Sequence, residues 1–486
     1  MTLRAPSPQA IVVFGASGDL ATKKIIPALY NLAVRGMLPA SYCVIGFAMS
    51  DWDDDEFRSH ARASIEAHSR TRLDEAVWKP FAASLSFISG TAEDEEALGR
   101  LRRSLEEVDD DLGTEGARLY YLAVPPQAFP TIVESLAAIG ANTANSRIVV
   151  EKPFGHSLDS AKALTAAIHT AFDESQVFRI DHYLGKETVQ NLVVFRFANS
   201  IWERVWNRDA VDHVQLTVAE SVGVGGRAGY YERAGAIRDL LQNHMFQMTA
   251  FLAMEPPRAL EDEAFRNETM KLLQAMRPID PADVVRGQYD GYRREEGVDP
   301  ESQTETFVAA RLWIDNWRWD GVPFYLRHGK RMPERDTEIT VYFRQAPDVV
   351  FRELELDHIP SNHLTIRVQP DEGISLAFQA KVPGPGYELQ TVRMDFDYDR
   401  SFVDALAEAY ERLLHDAMIG DHTLFAREDG VERAWEIVTP ALETPSPLFF
   451  YKPGTWGPAP ADELLAPASW HLQANPPHQP HRRSES

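Results

Sequence analysis

Residues 10–24, AIVVFGASGDLATKK, decide how the first part of this chain folds. Residues 10–14 form a short apolar run rich in β-branched side chains. LATKKIIPALYNLAVRG follows, with its apolar residues at helical spacing. Gly15 falls at the end of the strand and Gly18 at the start of the helix. Glycines there let backbone N–H groups approach a pyrophosphate, whose charge the helix N-terminus favours. The spacing is GxxGDL and not GxGxxG, so by itself it fits a tight strand-to-helix turn equally well. Its place in the first βα unit favours the dinucleotide cradle.

The alternation continues outward from that unit. YCVIGFA (42–48), LSFISG (85–90), RLYYLAVPP (118–126) and SRIVVEKP (146–153) read as strands, with amphipathic helices over 53–69, 93–108 and 128–138. This pattern predicts a Rossmann-like, doubly wound parallel sheet over residues 1–180. Beyond residue 200, DHVQLTVAE, TFVAARLWI, TEITVYFR, HLTIRVQP, ISLAFQAKV and VRMDFDY follow one another without crossover-length helices. They predict a larger α+β domain, residues 181–470, built on a mainly antiparallel sheet. Helices are expected over 233–253, 402–419 and 427–442, and the proline-rich residues 471–486 are expected to be a disordered tail.

Composition narrows the function. The chain has 486 residues, too many for one ordinary core, with 44% hydrophobic and 25% charged residues. Its charge of −24, from 49 basic and 73 acidic residues, comes without a basic stripe and argues against nucleic acid as a partner. The one cysteine, Cys43, lies in apolar SYCVIGFA, which excludes an internal disulfide and fits a reducing compartment. No run approaches the roughly 18 apolar residues of a membrane span, and the first ten residues lack an apolar signal core. A cytoplasmic protein without a membrane partner is expected.

The end of the second strand bears on the choice of cofactor. An acid there holds a ribose 2′-hydroxyl, and an arginine accommodates a 2′-phosphate. Here VIGFAMSDWDDDEF has Met49 at that point, with four aspartates and a glutamate behind it. Those acids are suited to capping the next helix. A second polar concentration is RIDHYLGKETVQN (179–191), with Asp181, His182, Tyr183, Lys186 and Glu187 in seven positions.

GASGDLATKK, EKPFG and RIDHYLGKETVQN, in that order and spacing, resemble the glucose-6-phosphate dehydrogenase family. The likeness continues through GRAGYYERAGAIRDLLQNHMFQM, GVPFYLRHGKRM and RVQPDEGISLAFQAK, and reaches GTWGPAPADELL. The resemblance implies that Gly15, Ala16, Ser17, Gly18, Asp19, Leu20 and Thr22 hold the pyrophosphate of NADP or NAD. It implies that Lys152 lies between nicotinamide and sugar, and that His182, Tyr183 and Lys186 hold the substrate phosphate. Glu220 and Asp239 would bind sugar hydroxyls, Lys330 would contact the sugar, and Arg335 and Gln369 would lie on the substrate side. His244 matches the family's general base and Asp181 the carboxylate that orients it. No metal is implied.

The implied reaction oxidises C1 of D-glucose 6-phosphate to 6-phospho-D-glucono-1,5-lactone, the first step of the oxidative pentose phosphate route. A homodimer or homotetramer is implied as well. The residue types suit this chemistry. A histidine takes a hydroxyl proton near neutral pH, and a buried carboxylate fixes its tautomer. A dianionic phosphate needs charge-assisted donors, and sugar hydroxyls need acceptors such as Glu220 and Asp239. Those two acids are equally suited to ion pairs with Arg227 or Arg238. The family usually carries arginine where Met49 stands, so weak discrimination against NAD is expected. Lys152 precedes Pro153, where a cis bond is accessible. The alternatives are a sugar dehydrogenase of the glucose–fructose oxidoreductase type, and a cofactor-binding regulatory protein without catalysis.

Overall fold

The computed structural model describes residues 5–351, 359–402 and 408–472. Six strands run in parallel through the first part: β1 (Gln9–Phe14), β2 (Tyr42–Ala48), β3 (Leu85–Ser89), β4 (Arg118–Leu122), β5 (Ser146–Glu151) and β6 (Val177–Ile180). They lie in the order 3-2-1-4-5-6, the doubly wound arrangement. β1 is buried along its length, as a strand covered by helices on both faces must be. Ile11 and Val13 enter one core, while Ala10, Val12 and Phe14 enter the other.

The chain reverses its strand order between β1 and β4, so the crevice at their carboxyl ends is the ligand position of this fold. The acids after Met49 cap a helix. Asp53 Oδ1 accepts from Asp55 N and Glu56 N, both at 2.9 Å, and Glu56 closes the capping box at the head of Asp54–His68. Cys43 is a half-buried strand residue whose thiol is pushed up by burial, the inert form.

The second sheet has nine strands: β7 (Val211–Ala219), β8 (Val284–Tyr289), β9 (Phe307–Leu312), β10 (Phe324–Gly329), β11 (Asp336–Phe343), β12 (His363–Gln369), β13 (Gly373–Lys381), β14 (Leu389–Asp397) and, after the short β15 (Phe425–Ala426), β16 (Leu448–Tyr451). It is mainly antiparallel, with parallel pairs β7–β10 and β8–β16. β15 leaves this half of the chain and pairs antiparallel with β6 at the edge of the first sheet.

Several elements escaped the periodicity. β8 and β10 carry arginine inside VVRGQY and FYLRHG, and β6 and β16 have only four residues. The helices Glu75–Ala83, Leu158–Ile168, Glu187–Phe197 and Asp262–Ala275 were also not anticipated. The helix expected over 233–253 breaks at Gly235 (φ +63) and resumes as a wider π-type turn, Ile237–Met245. Of the helix expected over 402–419, Ala409–Ile419 is observed, and residues 403–407 lie outside the described residues. Most of the tail expected over 471–486 also lies outside them. His471, however, packs on the second sheet, its N–H donating to Gln215 Oε1 at 2.6 Å.

Candidate active site

β5 and β6 are in register, Glu151 opposite Ile180, so the residues that follow them, Lys152 and Asp181, emerge side by side. The Lys152–Pro153 bond is cis. From the other half of the molecule, the turn Ile237–Met245 brings Asp239 and His244. His244 Nδ1 lies 2.5 Å from Asp181 Oδ1, which also accepts from Tyr183 N at 2.9 Å.

Both partners are nearly inaccessible, His244 at 1% and Asp181 at 3%. Burial alone would raise Asp181, but His244, His182 and the Tyr183 N–H outweigh it and hold the carboxyl below its ordinary range. Burial also drives the His244 imidazole down against the pull of Asp181. The result is an ionised carboxylate beside a neutral imidazole. His244 Nε2 is buried with no hydrogen-bond partner among the described residues, free to accept a proton.

The rings of His182 and Tyr183 flank His244, with centroids 4.6 and 4.5 Å away. Desolvation, then His244 and Lys152, push His182 well below the usual histidine range. Lys186 Nζ lies 4.2 Å from the centroid of the Tyr183 ring and donates to Gln369 Oε1 at 2.6 Å. Arg335 Nη2 donates to the same oxygen at 2.9 Å, and Gln369 Nε2 is anchored on Thr337 Oγ1. Burial and the Arg335 charge push Lys186 down to about 8. The two cations share one neutral amide oxygen, while Glu372 and Asp181 act on Lys186 through their charge, which leaves N–H donors suited to a bound anion.

Lys152 Nζ donates to Asp239 O at 2.9 Å and Asp239 Oδ1 at 3.0 Å, and Tyr230 OH adds a bond to the same carboxylate. Glu220 pairs with Lys330, which lies over the Tyr231 ring. The alternative pairing with Arg227 or Arg238 does not occur. Arg227 stacks on Tyr230, and Arg238 donates to His156 O. Both acids sit below the ordinary carboxylate range. Burial would raise them, but Lys152 and Lys330 beside Asp239, and His328 and Lys330 beside Glu220, prevail.

A cleft of about 790 Å³ opens at the carboxyl ends of β1, β2 and β4. Gly15 (φ +81), Ser17, Gly18 and Met49 line it. A Cβ on Gly15 would lie 2.5 Å from Ala123 O, so the turn requires glycine. Such a close backbone turn at the switch point fits a dinucleotide. The side chains of Ala16, Asp19, Leu20 and Thr22 do not line the cleft. Ala16 is buried, Asp19 pairs with Lys23 at 2.8 Å, Leu20 packs against the core, and Thr22 Oγ1 is engaged by Gly18 O and His60. Nor is the Thr22 backbone open, its N–H donating to Gly18 O at 2.9 Å and its carbonyl accepting from Ser64 Oγ, while the Ala16 N–H donates to Phe47 O at 3.5 Å. Met49 is 80% exposed at the lip, and among the described residues no basic side chain lines the cleft.

Sequence reasoning passed over Glu151, Tyr121, Tyr410 and Tyr230, all of which touch this assembly. Glu151 stands in the quoted EKPFG, and a carboxylate at a strand's carboxyl end was the available signal.

Comparison with known proteins places the assembly in a family. Residues 12–191 match the family model "Glucose-6-phosphate dehydrogenase, NAD binding domain", and residues 193–472 match "Glucose-6-phosphate dehydrogenase, C-terminal domain". The chain is 45% identical over 484 residues to glucose-6-phosphate 1-dehydrogenase 2 of Mycobacterium tuberculosis (strain ATCC 25618 / H37Rv), covering 95% of this chain and 94% of that protein. It is 44% identical to glucose-6-phosphate 1-dehydrogenase of Aggregatibacter actinomycetemcomitans, covering 94% and 95%. A solved glucose-6-phosphate dehydrogenase in complex with its substrate glucose-6-phosphate superposes with a TM-score of 0.88 at 36% identity, over 97% of this chain and all of that one. The enzyme from Mycobacterium avium gives 0.85 at 38%, with the same coverage. Matched along both halves by sequence and fold, the chain belongs to the glucose-6-phosphate dehydrogenase family.

Proposed function

We propose that this oxidoreductase acts on D-glucose 6-phosphate and gives 6-phospho-D-glucono-1,5-lactone, opening the oxidative pentose phosphate route. The observation that carries the reading is the buried Asp181–His244 pair set beside the Lys186–Gln369–Arg335 cluster. A nicotinamide dinucleotide, when bound in the cleft by Gly15, Ser17, Gly18 and the backbone of Asp19 and Leu20, supplies the hydride acceptor.

The chain's own residues do the rest. Lys186, Arg335, His182 and Tyr183 grip the phosphate and fix the sugar's position, with Gln369 holding the two cations together. Glu220 and Asp239 accept from sugar hydroxyls, and Lys152 and Lys330 keep those carboxylates ionised and aimed. The C1 hydroxyl gives its proton to His244 Nε2 while the C1 hydrogen leaves with its electron pair, so that C1–O becomes a carbonyl. Asp181 holds the proton-bearing Nδ1 and stabilises the imidazolium.

Residues 1–180 serve as the dinucleotide domain and residues 181–470 as the substrate and oligomerisation domain. The broad sheet of the latter suits assembly into a homodimer or homotetramer, and the enzyme works in the cytoplasm. No described helix is long and apolar enough to cross a membrane. Met49, which offers neither charge nor donor, leaves NAD competitive with NADP. A glucose–fructose oxidoreductase-type activity has no use for the phosphate cluster, and a regulatory protein has no use for the intact pair.

Steady-state kinetics with glucose 6-phosphate and with free glucose test the reading. The account predicts kcat/KM for free glucose lower by at least about a hundredfold, the worth of two or more charge-assisted bonds. Comparable values for the two sugars would overturn it.

A further inference from the structure

Glu151 ends β5 directly opposite Ile180, the residue before Asp181. Tyr121 OH, from β4, donates to Glu151 Oε1 at 2.5 Å, and the hydroxyl of Tyr410, from the helix Ala409–Ile419, favours the ionised form of the same carboxyl. A carboxylate from the first sheet is thus closed in by hydroxyls from both halves of the molecule, next to the residue that orients His244. Asp181 itself is only half satisfied. Its Oδ1 takes His244 and the Tyr183 N–H, while Oδ2 is buried with no hydrogen-bond partner among the described residues. Glu151 and Asp181 repel each other across the ends of β5 and β6, and Asp181 passes that charge on to His244 through their contact.

We infer that Glu151 is a positioning residue for the oxidation: clamped by Tyr121 and Tyr410 beside Asp181, its carboxyl sets the strength of the Asp181–His244 base. This rests on His244 being the base.

The charges around it fix the direction. Glu151 faces Tyr121 on β4, Tyr410 on its helix with Glu408 beyond, Lys152 next in the chain, and Asp181 after β6. His244 faces Asp181, Lys152, Asp239 and His182. Desolvation of its carboxyl, with the Asp181 charge against the two hydroxyls and Lys152, pushes Glu151 up to about 7. Below that pH Glu151 is neutral and Asp181 alone stabilises the imidazolium. Above it a second negative charge strengthens His244 as a base. The rise of kcat with pH then contains an inflection belonging to Glu151.

The experiment is the pH profile of kcat for Glu151→Gln, with Tyr410→Phe and His244→Asn beside it. Glutamine keeps an oxygen for both tyrosine hydroxyls but cannot ionise. The expected result is loss of the inflection near 7 and an alkaline plateau about tenfold lower, at a KM for glucose 6-phosphate within about twofold of wild type. Tyr410→Phe removes one donor to the ionised form, so its inflection moves upward while the plateau is regained. If Glu151→Gln does not fold, this second variant decides: an unmoved inflection overturns the inference. A Glu151→Gln profile superimposable on wild type, with His244→Asn inactive, sinks the role of Glu151 and leaves the base intact. An active His244→Asn sinks both.

Discussion

His244 Nδ1 sits 2.5 Å from Asp181 Oδ1, and the other imidazole nitrogen is buried with no partner among the described residues. One face of the ring is committed to a carboxylate, and the other waits for a proton. Asp181 also accepts the Tyr183 N–H, so the orienting carboxylate and the flanking aromatic are locked together.

Asp181→Asn keeps the shape of the contact but removes the charge that stabilises the imidazolium. The expected outcome is a fall in kcat of roughly 10²–10⁴-fold with KM for the sugar phosphate little changed. Initial-rate kinetics read both. A loss confined to KM would show that Asp181 serves binding and not the base.

Lys186 and Arg335 meet on the neutral Gln369 Oε1, and among the described residues Glu372 and Asp181 reach Lys186 through their charge without a hydrogen bond. Lys186→Gln is expected to raise KM for glucose 6-phosphate by about 10–100-fold, with kcat within a few fold of wild type. Because the interaction is charged, the wild-type KM should climb with ionic strength more steeply than that of the variant. Equal KM values would remove Lys186 from the phosphate site.

His182 supplies a pH signature. Its imidazole lies well below the ordinary range in the empty site, from desolvation first and then from His244 and Lys152, so at pH 7 it is neutral. A bound phosphate dianion favours the charged form and raises it. Binding must then take up protons, and affinity must fall as pH rises through the raised value. Titration calorimetry in two buffers of different ionisation enthalpy measures the uptake, and zero net proton exchange at pH 6.5–7 would contradict the assignment.

Met49 stands exposed at the lip of a cleft in which, among the described residues, no basic side chain is part of the lining. Wild-type kcat/KM should therefore favour NADP over NAD by less than about a hundredfold, or favour NAD. Met49→Arg should raise the NADP/NAD ratio by about tenfold or more through a charge-assisted bond to the 2′-phosphate. An unchanged ratio would move the specificity determinant elsewhere.

Much of this site was legible as sequence because its parts sit at strand ends. Gly15, Lys152 and Asp181 follow β1, β5 and β6, and periodicity placed the first two of those strands. The 63-residue separation between Asp181 and His244 carries no local signal. Their pairing came only with the family likeness, and the turn bearing His244 is wound as a π-type segment, outside ordinary helical spacing. The lysine partners of Glu220 and Asp239 were obscured by nearer arginines in the sequence, which the fold turns to Tyr230 and His156. β8 and β10, VVRGQY and FYLRHG, are runs of six that each hold a glycine and an arginine and show no sustained apolar alternation. Arg327 of β10 is accommodated between Trp456 and Trp470, which come from the far end of the chain.

The central claim is that His244 takes the C1 hydroxyl proton, and His244→Asn tests it most directly. The account predicts kcat lower by roughly 10²–10⁴-fold, while calorimetric binding of glucose 6-phosphate stays within about threefold of wild type. A variant that binds the sugar phosphate and keeps most of its kcat would show that the proton goes elsewhere.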